Sequence, residues 1–259
     1  AFRGCIALES LTLPFVGESG AATPSAKTLF GFIFGTTNYT GAYVAKQYYS
    51  SSGFTNYYIP TSLTTLTLTG GNVLFGTFDA CNKLRNVTLP ETLADIGAYS
   101  FRGFSSLLEI SIPETVASIG NYAFAACTSM AELTFEEPDG DPVSLAINTY
   151  AFQSCSSLTN VTLPDRTNTV ANFVFSGCNK LVTMDLPFIG NNRTQTANNN
   201  ANVFGYIFGT SNYTGATAAA QAGTSSATYY IPSTLRTVNI RGGNVLKGSF
   251  QNCKMLTSI

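Results

Sequence analysis

Residues 112–130 read IPETVASIGNYAFAACTSM, and this stretch decides the fold because the chain repeats its pattern. Ile119-Gly120-Asn121-Tyr122-Ala123-Phe124 has its counterpart 23 residues earlier, in Ile96-Gly97-Ala98-Tyr99-Ser100-Phe101. Extending the match both ways gives a spacing of F-x2-C-x2-L-x2-[LVI]-x-[LIF]-P-x5-[ILV]-x4-F. Phe78, Cys81, Leu84, Val87, Leu89, Pro90 and Ile96 fill one unit. Phe101, Phe104 in place of the cysteine, Leu107, Ile110, Ile112, Pro113 and Ile119 fill the next. Phe124, Cys127, Met130, Leu133 and Phe135 follow, but Glu136 replaces the proline and extra residues around 138–142 precede Ile147. The spacing resumes at Phe152, Cys155, Leu158, Val161, Leu163, Pro164 and Val170, then at Phe175, Cys178, Leu181, Met184, Leu186 and Pro187. Both ends match too, with Phe2, Cys5, Leu8, Leu11, Leu13 and Pro14 at one and Phe250, Cys253, Leu256 and Ile259 at the other.

A longer period lies above this one. Phe34-Gly35-Thr36-Thr37-Asn38-Tyr39-Thr40-Gly41 recurs as Phe208-Gly209-Thr210-Ser211-Asn212-Tyr213-Thr214-Gly215. Tyr57-Tyr58-Ile59-Pro60 recurs as Tyr229-Tyr230-Ile231-Pro232, and Gly70-Gly71-Asn72 as Gly242-Gly243-Asn244, always at a shift of 172 to 174 residues. The chain therefore reads as one domain over residues 1–259, about nine units long, with a duplicated block of about 173 residues. The expanded units at 15–58 and 188–230 read as loops that bulge from one face.

Within L-x2-[LVI]-x-[LI] the last three positions alternate apolar, polar and apolar, the signature of a short strand with one buried face. So short a strand cannot bury that face alone. Stacking successive units pairs the backbones and lines up a continuous apolar ladder. The proline ends each strand because it lacks the N–H that would extend the pairing. The Ile-Gly step opens a second extended or turning segment, and Gly97 and Gly120 suit a bend through tolerance of positive φ. Thr, Ser and Asn dominate between the anchors, so little helix is expected. The reading is a β-rich solenoid of short parallel strands.

Charged residues are 10% of the chain, against roughly 25% in an ordinary soluble domain. The 13 basic and 14 acidic residues are scattered, leaving no basic stripe to follow a phosphate backbone, so nucleic acid is not an expected partner. No run reaches 18 apolar residues, so no membrane span is expected. The chain opens and closes inside a repeat unit, which reads as a fragment of a longer protein.

Residues 112–130 closely resemble the BspA-type leucine-rich repeat of bacterial cell-surface proteins, found also in some protist surface proteins. The likeness covers essentially the whole chain, departing from the pattern in the expansions after Pro14 and Pro187 and at Glu136. It implies a leucine-rich-repeat solenoid forming a right-handed superhelix, a secreted or cell-surface setting, and roles in adhesion or in binding host and matrix partners. It names no ligand, because fold alone does not fix function.

The cysteines at 5, 81, 127, 155, 178 and 253 share one repeat position, which favours small buried hydrophobes over a disulfide framework, although neighbours such as Cys155 and Cys178 lie close enough in the ladder to bridge. There is no His and no C-x2-C pair, so no metal site is expected, and the commonest general base is missing. Glu109, Glu132 and Asp185 could pair for glycosidic chemistry, but they fall at outward positions on separate units and read as solvated. Gly70-Gly71 and Gly242-Gly243 lack the Lys of a phosphate loop and read as turns. Asp139-Gly140-Asp141 reads as an acidic turn, with Ca²⁺ contact the rarer alternative. The sequons at Asn38 and Asn212 matter only in a secretory-pathway host.

The candidate binding face is the row of outward strand positions: Ser10 and Thr12, Asn86 and Thr88, Glu109 and Ser111, Glu132 and Thr134, Asn160 and Thr162, and Thr183 and Asp185. Tyr39, Tyr43, Tyr48, Tyr49, Tyr206 and Tyr213 offer rigid contact area in the expansions, some of them as plugs against the solenoid. The expected role is non-enzymatic recognition of a host or matrix protein or a glycan by a monomer with no cofactor. A passive spacer is the first alternative and a carbohydrate-active enzyme the remote one.

Overall fold

The computed structural model describes residues 1–19, 23–137 and 140–259. Pro138 and Asp139, and with Asp139 the acidic turn at 139–141, lie outside the described residues. The chain begins with β1 (Ser10–Leu13), then two short 3-10 turns and an antiparallel hairpin of β2 (Ala42–Tyr48) and β3 (Phe54–Pro60). Next come β4 (Thr65–Leu68), β5 (Asn86–Thr88), β6 (Asp95–Ile96), β7 (Glu109–Ile112) and β8 (Ser118–Ile119). They are followed by β9 (Glu132–Phe135), β10 (Leu145–Ile147), β11 (Asn160–Thr162), β12 (Thr167–Val170) and β13 (Thr183–Leu186). Two further 3-10 turns lead to a second hairpin, β14 (Ala216–Ala222) and β15 (Ser226–Pro232), and then to β16 (Thr237–Ile240).

The strands form two walls. On one, β1, β4 and β5 pair in parallel, as do β7 with β9 and β11 with β13 and β16. On the other, β6 and β8, which end at the Ile-Gly step, form a second parallel sheet with β10 and β12. Between the walls, Phe78, Phe101, Phe124, Phe152 and Phe175 are fully buried. Their rings stack from coil to coil at 5.1, 4.9, 5.3 and 5.7 Å. This is the β-rich solenoid of short parallel strands that the spacing implies, with only short 3-10 turns as helix among the described residues.

The cysteines extend the interior ladder. The Cys127, Cys155 and Cys178 thiols donate to the carbonyls of Phe101, Phe124 and Phe152 on the preceding coil at 3.3, 3.2 and 3.1 Å. All six cysteines are free. Cys5 is exposed and Cys253 half-buried, against the reading that every cysteine is buried.

Two expectations need correction. Gly97 and Gly120 do not take positive φ. They are glycines for lack of space: a Cβ on Gly97 would lie 2.4 Å from the Leu74 backbone, and one on Gly120 2.5 Å from that of Ala98. The left-handed positions nearest the step fall on Tyr99, Tyr122, Tyr150 and Phe173, at φ 57° to 60°. Such a conformation costs an L-residue about 1–2 kcal/mol. Here it turns alternate backbone N–H groups toward the next coil: Tyr99, Phe101 and Gly103 donate to Asn121, Ala123 and Ala125. It also stacks Tyr99, Tyr122, Tyr150 and Phe173 at 5.0, 4.7 and 4.8 Å, and such ring pairs contribute about 0.5–1.5 kcal/mol each.

The second correction concerns the expanded units, which are built around hairpins instead of loops. In β2 and β3 the residues Ala45, Gln47, Tyr57 and Ile59 face inward, and Ala219, Gln221, Tyr229 and Ile231 do the same in β14 and β15. Gln47 fastens its hairpin to the frame, accepting from the Gly31 N–H at 2.7 Å and donating to the Thr77 carbonyl and the Cys81 sulfur. Gln221 repeats this with Gly205 and Cys253. Buried polar groups stripped of their partners cost about 1–3 kcal/mol each.

Phe124→Ala should therefore cost about 3–5 kcal/mol in urea unfolding, and a loss below 1 kcal/mol would contradict an interlocked ladder. Gln47→Leu should cost about 1–3 kcal/mol, since it orphans the buried Gly31 N–H, while the Thr77 carbonyl keeps the Phe30 N–H as a partner. The same unfolding measurement checks it, and a neutral result would mean that the amide is not the fastening.

Candidate functional site

The alternation that buries Leu66, Val87, Ile110, Leu133, Val161 and Met184 turns the residues between them outward. Ser10, Thr12, Asn86, Thr88, Glu109, Ser111, Glu132, Thr134, Asn160 and Thr162 are all exposed, while Thr183 and Asp185 are half-buried. Strand register aligns them into rows. Ser10 pairs with Thr65 and Thr65 with Asn86, and the second row runs Thr12, Thr67, Thr88. Glu109 lies beside Glu132 and Ser111 beside Thr134. Asn160, Thr183 and Thr237 form one row, and Thr162, Asp185 and Asn239 the other. Thr65, Thr67, Thr237 and Asn239 belong to the face as well. Their signal was present in the alternations Thr65-Leu66-Thr67-Leu68 and Thr237-Val238-Asn239-Ile240.

The ladder lapses twice. Among the described residues no backbone hydrogen bond joins β5 to β7 or β9 to β11, and a groove opens at each lapse. The first, about 220 Å³, runs past Asn86, Thr88, Glu109, Ser111, Glu132 and Thr134. The second, about 480 Å³, runs past Glu132, Thr134, Asn160 and Thr162. At the first lapse the Leu108 N–H still reaches the Arg85 carbonyl at 3.1 Å, just ahead of both strands, and the pairing stops there. At the second, the unit carries the extra residues that follow Glu136.

The first groove is acidic. Glu91 and Glu136 line it beside Glu109 and Glu132, with no Lys or Arg in the lining. The Glu136 carboxylate pushes the Glu91 carboxyl above the ordinary range, chiefly by like-charge repulsion. Ser111 Oγ donates to Glu136 Oε1 at 3.0 Å. Farther along, Asp185 is held by Arg241, which also bonds Asp165 Oδ1 at 3.1 Å through Nε. Arg241 was not among the sequence candidates, though its signal was legible: it stands directly after a strand, where other units carry proline. The expansion tyrosines divide. Burial pushes the Tyr43 and Tyr213 phenols up, marking them as plugs, whereas Tyr48 sits half-buried at the end of β2.

Stacked parallel strands over a Phe, Cys and Leu interior define a leucine-rich-repeat solenoid. The chain belongs to the BspA-type leucine-rich repeat family, whose model, described as "BspA type Leucine rich repeat region", matches residues 42–139 and 142–257 in six copies. The chain is similar to three solved structures. The T. pallidum leucine rich repeat protein is 24% identical, with a TM-score of 0.36, over 48% of this chain and 56% of that one. A leucine-rich repeat protein from Bacteroides ovatus ATCC 8483 is 18% identical, with a TM-score of 0.37, over 100% of this chain and 68% of that one. A leucine rich cell surface protein from Faecalibacterium prausnitzii A2-165 is 20% identical, with a TM-score of 0.28, over 78% and 58%. Comparison with curated proteins gives no match. No helix among the described residues is long and apolar enough to cross a membrane.

Arg241→Ala should change stability by less than about 1 kcal/mol, because its ion pairs are solvent-screened. Urea unfolding checks this, and a larger loss would make the Asp165–Arg241–Asp185 group part of the frame.

Proposed function

We propose that the chain is a non-enzymatic, cell-surface or secreted recognition solenoid that binds a protein or glycan ligand along its strand face. The observation that carries the reading is the coincidence of both grooves with the outward residues at the two lapses of the ladder. Four carboxylates in the first groove favour a protein segment bearing Lys or Arg there, since complementary charge steers encounter and fixes register. Glu109 and Glu132 are exposed, which supports a binding role over acid–base chemistry, because catalytic carboxyls are tuned by burial. Family membership supports the surface setting.

Binding of the chain to immobilised matrix proteins and to a glycan array tests this reading. Replacing Asn86, Glu109 and Asn160 together by Ala should weaken binding at least about tenfold while unfolding stays within about 0.5 kcal/mol per site. Absence of binding on both panels would favour a spacer, and turnover of any polysaccharide would overturn the non-enzymatic reading.

A further inference from the structure

The two hairpins provide an internal control. Residues that hold them to the frame recur in both: Gln47 and Gln221, Tyr57 and Tyr229, Ala45 and Ala219, Cys81 and Cys253. Another set occurs in the first block alone. Lys46, Tyr48, Phe54, Phe75 and Asp79 are replaced at the matching positions by Ala220, Ala222, Ser226, Lys247 and Gln251. The second hairpin forms with Ala220, Ala222 and Ser226, so the hairpin does not require Lys46, Tyr48 and Phe54.

Those first-block residues lie together. Tyr48 and Phe54 meet at 5.4 Å, and Lys46 Nζ sits 4.1 Å from the centre of the Phe54 ring. The Arg102 guanidinium lies between the Tyr48 and Tyr99 rings, 5.3 and 4.7 Å from their centres, and Phe75 adjoins Tyr99 at 5.1 Å. A cleft of about 290 Å³ opens among Tyr48, Ser50, Ser51, Phe75, Tyr99 and Arg102. Asp79, almost fully buried, takes Arg102 Nε at 3.0 Å and Nη2 at 2.6 Å. This fork fixes the guanidinium, and no hydrogen bond engages its Nη1 among the described residues. Lys46 is exposed and has no ion pair among the described residues.

We infer that this aromatic cleft binds a carboxylate-bearing sugar of an acidic glycan, at a site separate from the strand face. Half-buried rings accept the apolar C–H face of a pyranose, and Ser50 and Ser51 meet its hydroxyls. Lys46 and the free side of Arg102 meet its carboxylate by charge-assisted bonds. An acidic peptide side chain would satisfy the cations but has no C–H face for the rings. Beyond Tyr99 the stacked Tyr122 and Tyr150 continue the strip along the flank.

Affinity electrophoresis and calorimetry with polygalacturonate, dextran and polyglutamate test the inference. The chain should bind polygalacturonate and be indifferent to dextran, with polyglutamate at least about tenfold weaker. A triple variant, Lys46→Ala with Tyr48→Ala and Phe54→Ser, installs the residues the second block carries and should fold. It should lose at least about tenfold in affinity, and Lys46→Glu alone, an exposed change that takes the cation off the Phe54 ring and leaves both rings in place, should also weaken binding. The strand-face triple variant should bind polygalacturonate unchanged, so failure here is distinguishable from failure of the strand-face reading. No retention by polygalacturonate, equal retention by dextran or polyglutamate, or unaltered binding by both cleft variants would overturn the assignment.

Discussion

Neighbouring coils meet through flat phenylalanine rings about one strand spacing apart, most of them with a cysteine and a leucine in the same coil. This contact has no local substitute, because three or four residues of strand cannot bury a face by themselves. Each coil is therefore stable only as far as the coils on either side hold its rings. The cysteine suits its place for a reason beyond size. Its thiol reaches back to a phenylalanine carbonyl of the preceding coil, so a buried acceptor gains a weak donor that valine would not supply. The left-handed tyrosines belong to the same device: they aim alternate N–H groups at the next coil and recover part of their strain in ring stacking.

The inward and outward alternation of the strands was legible because a buried face imposes a period of two on the sequence. Every outward residue read from that pattern points away from the core. The hairpins were not legible for a related reason. Their inner faces carry Ala45, Gln47, Ala219 and Gln221, small or polar residues that do not register as apolar positions. Gln47 becomes intelligible only when Gly31, Thr77 and Cys81 are seen around it. Gly97 and Gly120 were recognisable as required glycines, but the sequence could not tell a left-handed turn from a backbone crowded by its neighbour. The geometry identifies crowding.

The grooves follow from the frame as well as from the surface residues. A regular ladder would present a nearly flat sheet, with every peptide group engaged. Where the register lapses, the rims offer side chains from two different coils. Only the second lapse carries a mark in the sequence, Glu136 in place of proline with extra residues after it; at the first, the strands on either side keep the pattern.

The duplication separates scaffold from surface in a way that a single copy could not. Positions that must be filled to fasten a hairpin hold the same residue in both blocks, and the constraint is visible in their hydrogen bonds. Positions free of that constraint have diverged toward opposite chemistry, aromatic and cationic in one block, small and neutral at most of the matching positions in the other. The strand face nearby is acidic at Glu91, Glu109, Glu132 and Glu136. A ligand drawn to the aromatic cleft by its carboxylates is therefore repelled from that groove, and a basic segment suited to the groove is disfavoured beside Lys46. With both surfaces on one stiff frame, charge sorts the two kinds of partner, and each site can change without disturbing the ladder that supports both.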